Sequence, residues 1–119
     1  MNSENVLDES KNYIITHTYE TVYLISKCNH SKIIIGDFYG EPNGAIIDAN
    51  ECFVVMYGCG IILYFLQPPF QEYSYETNTS QWLEWGRIEP IMWVDKVVPL
   101  DNNRMKVILE NGQTNIITI

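Results

Sequence analysis

"CFVVMYGCGIILYFL", residues 52–66, is the longest apolar stretch of the chain, and its reading decides the fold. It is too short to cross a bilayer as a helix, which takes about 20 unbroken apolar residues, and Gly58 and Gly60 interrupt it. Read as strands, "CFVVMY" (52–57) and "IILYFL" (61–66) flank Gly58-Cys59-Gly60, a tight glycine turn that sets them antiparallel. Both are apolar at nearly every position, the pattern of strands covered on two faces rather than one.

Strand signals continue outward from this hairpin. On the N-terminal side, "KIIIGDFY" (32–39) and "AIID" (45–48) flank the turn chemistry of Gly40-Glu41-Pro42-Asn43-Gly44, and "YIIT" (13–16) and "TVYLIS" (21–26) come before them. On the C-terminal side, Pro68-Pro69 ends the apolar run, because proline has no N–H for a ladder. "IEPIMWVDKVVPL" (88–100) is strand-like, with Pro90 and Pro99 favouring edges or bends. In "RMKVILENGQTNIITI" (104–119), Asn111-Gly112 separates two strand patterns and predicts a hairpin with a type I′ turn. Helix signals are few: "NTSQWLEWG" (78–86) reads as one or two turns capped by Asn78 or Thr79, and residues 3–11 as another short helix. Successive hairpins predict an all-β, antiparallel fold, a sandwich or strongly curved sheet, formed as one domain over residues 1–119.

The chain carries a net charge of −8, and the charge is concentrated. Residues 37–95 hold nine acids against Arg87 alone and so supply the whole of it, while residues 1–36 net −1 and residues 96–119 net +1. Such a field repels nucleic acid, whose binding depends on lysine and arginine neutralising phosphates. It attracts basic proteins and speeds their encounter. It also serves solubility. An odd number of cysteines (Cys28, Cys52 and Cys59), the absence of a signal peptide and the absence of a membrane span predict a reduced, cytoplasmic protein.

Chemistry-bearing motifs do not appear. There is no phosphate loop, nucleophile elbow or His-Glu-x-x-His pattern. His17 and His30, the two histidines, are not spaced with a nucleophile or carboxylate in any recognisable way. Cys28-Asn29-His30 with Cys52 and Cys59 lacks the Cys-x2-4-Cys spacing of a zinc knuckle, so the cysteines read as buried, inert thiols. The expectation is a non-enzyme with no metal and no cofactor.

The acidic, aromatic segment "FQEYSYETNTSQWLEW" (70–85) has no lysine or arginine. In an extended conformation Tyr73 and Tyr75 face one side and Glu72 and Glu76 the other. Trp82 and Trp85, three apart, would share one side of a short helix, with Glu84 between them. These rings either close the end of the core or anchor a partner. The candidate partner-binding residues, chosen on charge and aromaticity, are Asp37, Glu41, Glu72, Tyr73, Tyr75, Glu76, Trp82, Glu84 and Trp85.

Through "IIIGDFYGEPNGAIIDANECFVVMYGCGIILYFL" (33–66) and "QWLEWGR" (81–87), the chain resembles the immunity proteins of bacterial toxin–immunity pairs, in particular those of contact-dependent growth inhibition. The resemblance implies a protein that binds and neutralises a cognate toxin domain, a basic nuclease such as an RNase, by occupying or blocking its active site. It carries over no individual residue. Two rivals stay open: a β-barrel or sandwich binding a small ligand between its sheets with tryptophans lining the pocket, and a small enzyme using His17 or His30 with a nearby acid.

Overall fold

The computed structural model describes residues 4–75, 77, 79–101 and 103–119. Among them are eleven strands and no helix: β1 (Asn5–Glu9), β2 (Tyr13–Thr18), β3 (Thr21–Ser26), β4 (Lys32–Asp37), β5 (Gly44–Ile47), β6 (Phe53–Gly58), β7 (Gly60–Phe65), β8 (Trp82–Trp85), β9 (Val94–Asp101), β10 (Arg104–Leu109) and β11 (Thr114–Thr118). They form three antiparallel sheets, ordered β1-β2-β3-β4, β5-β6-β7-β8 and β11-β10-β9. Every hydrogen-bonded neighbour is also the neighbour in sequence, so each sheet is a simple meander. The expected all-β antiparallel fold is what the chain adopts.

The middle sheet is covered on both faces, as the unbroken apolar character of residues 52–66 predicts. Side chains alternate along a strand, and here both sets are buried. Val54, Met56, Ile62 and Tyr64 enter one core with Ile15, Val22, Leu24 and Ile35 of the first sheet. Val55, Tyr57, Ile61 and Leu63 enter a second core with Val94, Val97, Met105 and Val107 of the third. Each fully buried aliphatic side chain contributes about 1.5–3 kcal/mol, so one hairpin supports two cores. The first sheet comes very close at Gly36, where a Cβ would lie 2.9 Å from Met56 Sδ.

Three local expectations are corrected. The helix expected over residues 3–11 is not found among the described residues 4–11: Asn5–Glu9 is β1, paired with β2 with a bulge between Val6 and Asp8, and residue 3 lies outside the described residues. Residues 82–85, read as part of a helix, are β8, paired from Tyr64↔Trp82 to Ile61↔Trp85; Asn78 lies outside the described residues. In both cases a free sheet edge offers backbone partners that outweigh weak local capping signals. The 110–113 turn is also not type I′. Gly112 N donates to Leu109 O at 2.9 Å and Leu109 N to Gln113 O at 2.8 Å, and only Gly112 has positive φ, at 89°. This is a type I turn followed by a left-handed glycine, the usual three-residue hairpin loop.

Glu51, in the β5–β6 turn, ties the middle sheet to the β1–β2 turn. It accepts from the Ser10 hydroxyl, from Asn12 N at 3.0 Å and from Asn12 Nδ2 at 2.6 Å. The hydrogen bonds from Ser10 and then Asn12 hold its carboxyl below the ordinary glutamate range.

Ile62 and Leu63 are adjacent yet face different cores, so Ile62→Ala and Leu63→Ala should each cost about 2–5 kcal/mol in chemical denaturation. If either were tolerated, that face would not be a core. A carboxyl whose pKa is depressed by folding stabilises above its unfolded value, about 4.3, and loses that contribution as pH falls through the folded one. The stability gap between wild type and Glu51→Gln should therefore be present at neutral pH and shrink in acid, as read from melting curves across pH. A gap that does not change with pH would remove Glu51 from the acid response.

Candidate functional site

The segment between β7 and β8 folds back over the seam of the first and middle sheets. Phe70 packs edge-on against Tyr13, with centroids 6.2 Å apart, and against Tyr64 at 6.5 Å. Tyr64 Oη donates to Gln71 O at 2.5 Å, and Gln81 Nε2 to Phe65 O at 2.6 Å. Tyr73 N donates to Ile34 O at 2.8 Å, which lays this segment along β4. The Tyr73 ring sits 4.9 Å from that of Trp82, which stacks on Tyr64 at 6.1 Å.

The four candidate rings are therefore not one patch. Tyr73 and Trp82 are buried, 7% and 4% exposed, and belong to the first core. Because Trp82 and Trp85 lie on a strand and an odd number of residues apart, they point to opposite faces. Trp85 packs half-buried against the second core. Tyr75 alone is well exposed, at 51%.

Glu84 shares the Trp82 face of β8 and is committed inward. It accepts from Tyr73 Oη at 2.8 Å and pairs with Arg87 Nε at 3.1 Å. Burial, and next the hydrogen bond to Glu84, push the Tyr73 phenol well above its usual value, so it stays a donor. Arg87 donates from Nη1 to Cys59 O at 3.0 Å and from Nη2 to Asp37 O, and its guanidinium lies 4.6 Å from the Phe38 centroid. The arginine thus joins β4, the β6–β7 tip and β8. With its charge paired and its side chain only 12% exposed, it offers little to an outside anion.

Two shallow depressions flank Tyr75. One of about 370 Å³ is lined by Tyr75, Glu84, Gly86, Arg87 and Ile88. The other, about 270 Å³, is lined by Thr21, Ile34, Asp37, Tyr73, Ser74 and Tyr75. The structure thus brings together Asp37, Tyr73, Tyr75 and Glu84 from the expected set. Glu72 is exposed beside them, and Glu41 is exposed on the loop whose Pro42 rests against Gly58. Glu76 lies outside the described residues. Sequence reasoning missed Tyr39 and Ile88, 78% and 71% exposed; Tyr39, beside the Gly40 turn, carried a signal and Ile88 none.

Elsewhere, His17 is buried and its Nδ1 donates to Tyr19 O at 2.9 Å, while His30 is exposed on the β3–β4 turn. Cys59 is buried, but Cys28 and Cys52 are exposed, which corrects the reading of all three as buried thiols. Among the described residues, no three His, Cys, Asp or Glu side chains gather to hold a metal ion. No helix there is long and apolar enough to cross a membrane. A cleft of about 340 Å³ opens between the middle and third sheets, lined by Ile46, Phe53, Val55, Val97 and Met105 among others, and by no tryptophan. Its polar lining includes Asp101 and Arg104, which pair with each other at 2.8 Å.

Arg87→Met leaves Glu84 and two carbonyls without their cation, and should cost about 1–3 kcal/mol of folding stability. Combining it with Glu84→Gln should cost less than the sum of the two single changes. Additive losses in a denaturation cycle would show that the pair is not coupled. Comparison with known proteins adds no relative: no protein-family model, curated protein or solved structure matches the chain.

Proposed function

We propose that the chain binds a basic protein through the surface around Tyr75 and neutralises it. On the resemblance to contact-dependent growth inhibition immunity proteins, the partner is a toxin domain, most simply an RNase, met in the cytoplasm by this chain acting as a single non-enzymatic domain. One observation supports this most. Tyr75 and Ile88 are exposed around one depression and Asp37 is exposed beside Tyr75 at the other, the exposed acids Glu72 and Glu89 adjoin Tyr73 and Ile88 along the chain, and the cation there, Arg87, is neutralised internally. Exposed rings supply anchor area, and unpaired carboxylates supply steering towards lysine and arginine. A nuclease must keep a basic surface for phosphate, and an acidic ridge is complementary to it.

In this reading the candidate residues divide by burial. Tyr73, Trp82 and Glu84 support the site from beneath, while Tyr75, Asp37, Glu41 and Glu72 meet the partner. A second reading, an apolar small molecule in the cleft between the middle and third sheets, has the volume and lining of that cleft in its favour.

The test is inhibition of a toxin nuclease domain encoded beside this chain, assayed with RNA and equimolar protein. Full activity in its presence would overturn the reading. Tyr75→Ala should weaken binding by about 2 kcal/mol, roughly thirtyfold, with an unchanged melting temperature. Tyr73→Ala should instead lose about 3–5 kcal/mol of stability. Joint neutralisation of Asp37, Glu41 and Glu72 should slow association, and added salt should slow the wild type, since screening shortens the field to about 8 Å at physiological ionic strength.

A further inference from the structure

The sheet edges are not treated alike. β1 is bulged between Val6 and Asp8, and Asp8 Oδ2 accepts from Ile47 N at 2.7 Å, occupying a backbone donor of β5. β4 is covered where Tyr73 N bonds Ile34 O. β8 is only four residues long. β9 contains Pro99 with Asp95, Lys96 and Asp101. Bulges, short strands, proline and charge are the means by which edges are kept from pairing with other chains.

β11 has none of them. Thr114–Thr118 reads TNIIT, pairs with β10 without a register shift, and carries no charge, proline or glycine. Among the described residues no other segment hydrogen-bonds to it. Ile116 faces outward beside Lys106 and is 55% exposed.

We propose that β11 pairs with β11 of a second copy, antiparallel about a two-fold axis through Ile116, to make a six-stranded sheet across the dimer. The strand complements itself in that register: Ile116 meets Ile116, Thr114 meets Thr118 and Asn115 meets Ile117, so no charges oppose each other. The electrostatics favour this side of an acidic molecule, because residues 96–119 net +1 while residues 37–95 carry the −8. The two copies of Lys106 would stand three strand spacings apart, about 14 Å, beyond the ~8 Å screening length. The arrangement also closes, since both β11 edges are used up and Pro99 guards β9. None of these residues lines the surface around Tyr75, so a partner and a second copy can bind together.

Sedimentation velocity of the full chain over a wide concentration range tests this. Wild type should pass from monomer to dimer and no further, and amide exchange over residues 114–118 should slow as dimer forms. Ile116→Lys and Ile116→Glu should each stay monomeric with the melting temperature of the wild type diluted to monomer, and an equimolar mixture of the two should restore a dimer. A wild type monomeric throughout would overturn the proposal. So would a dimer that persists in both variants, a mixture that stays monomeric, exchange that is blind to concentration, or growth into larger species.

Discussion

The structure depends on the burial of both faces of the β6–β7 hairpin. A sheet with one wet face needs apolar residues at alternate positions only. Here every position from Val54 to Tyr57 and from Ile61 to Tyr64 lies in a core, setting aside the glycine turn. Polar groups at these positions would be stranded without water, at a cost comparable to the gain from burying an aliphatic chain. The first and third sheets need the hairpin as much as it needs them: the first buries Ile15, Val22, Leu24 and Ile35 against one of its faces, and the third buries Val94, Val97, Met105 and Val107 against the other.

Covering both faces of a sheet leaves its ends and edges to be resolved, and the candidate site arises at one of them. Beyond the end of β7 at Phe65, after Pro68-Pro69, the chain must cross the seam between two sheets, and it does so with aromatic plugs, Phe70 and Tyr73. Burying the Tyr73 hydroxyl requires an acceptor, which Glu84 provides; a half-buried carboxylate in turn requires a cation, which Arg87 provides. The guanidinium then spends its remaining donors on the carbonyls of Cys59 and Asp37. This chain of needs uses up the only positive charge among residues 37–95 inside the protein, and the exposed carboxylates beside Tyr75 are left unopposed. A packing requirement thereby shapes the surface field.

Much of this was legible in the sequence where a physical signal was redundant. Residues 13–16, 21–26, 52–57 and 61–66 are rich in β-branched and aromatic residues, and no helical period competes with that pattern, so β2, β3, β6 and β7 lie close to where they were expected. β1 and β8 were misread because their own residues are indifferent; NVLDE and WLEW become strands through partners across the sheet. That single error propagated. A helix puts Trp82 and Trp85 on one side, a strand puts them on two, and the expected aromatic patch depended on the helix. The turn at 110–113 failed more mildly: both turn types need positive φ at Gly112, and only Asn111 distinguishes them. Residue types thus named four side chains that do gather, Asp37, Tyr73, Tyr75 and Glu84, among others that do not. Which of them would be exposed followed from strand parity and hydrogen-bond satisfaction, and neither is visible without the pairing.

The segregation of charge fits this layered order. Acids accumulate between residues 37 and 95, which build the middle sheet and its connections, while the third sheet is nearly neutral with a slight positive balance. A uniformly acidic molecule of this size would repel its own copies from every side. The strands of the third sheet instead balance Asp95 and Asp101 against Lys96, Arg104 and Lys106, which leaves them close to neutral. The layering that gives the hairpin two cores thus also sets the acids around Tyr75, where we propose that a cationic protein binds, apart from the near-neutral β11 edge, where we propose that a second copy pairs.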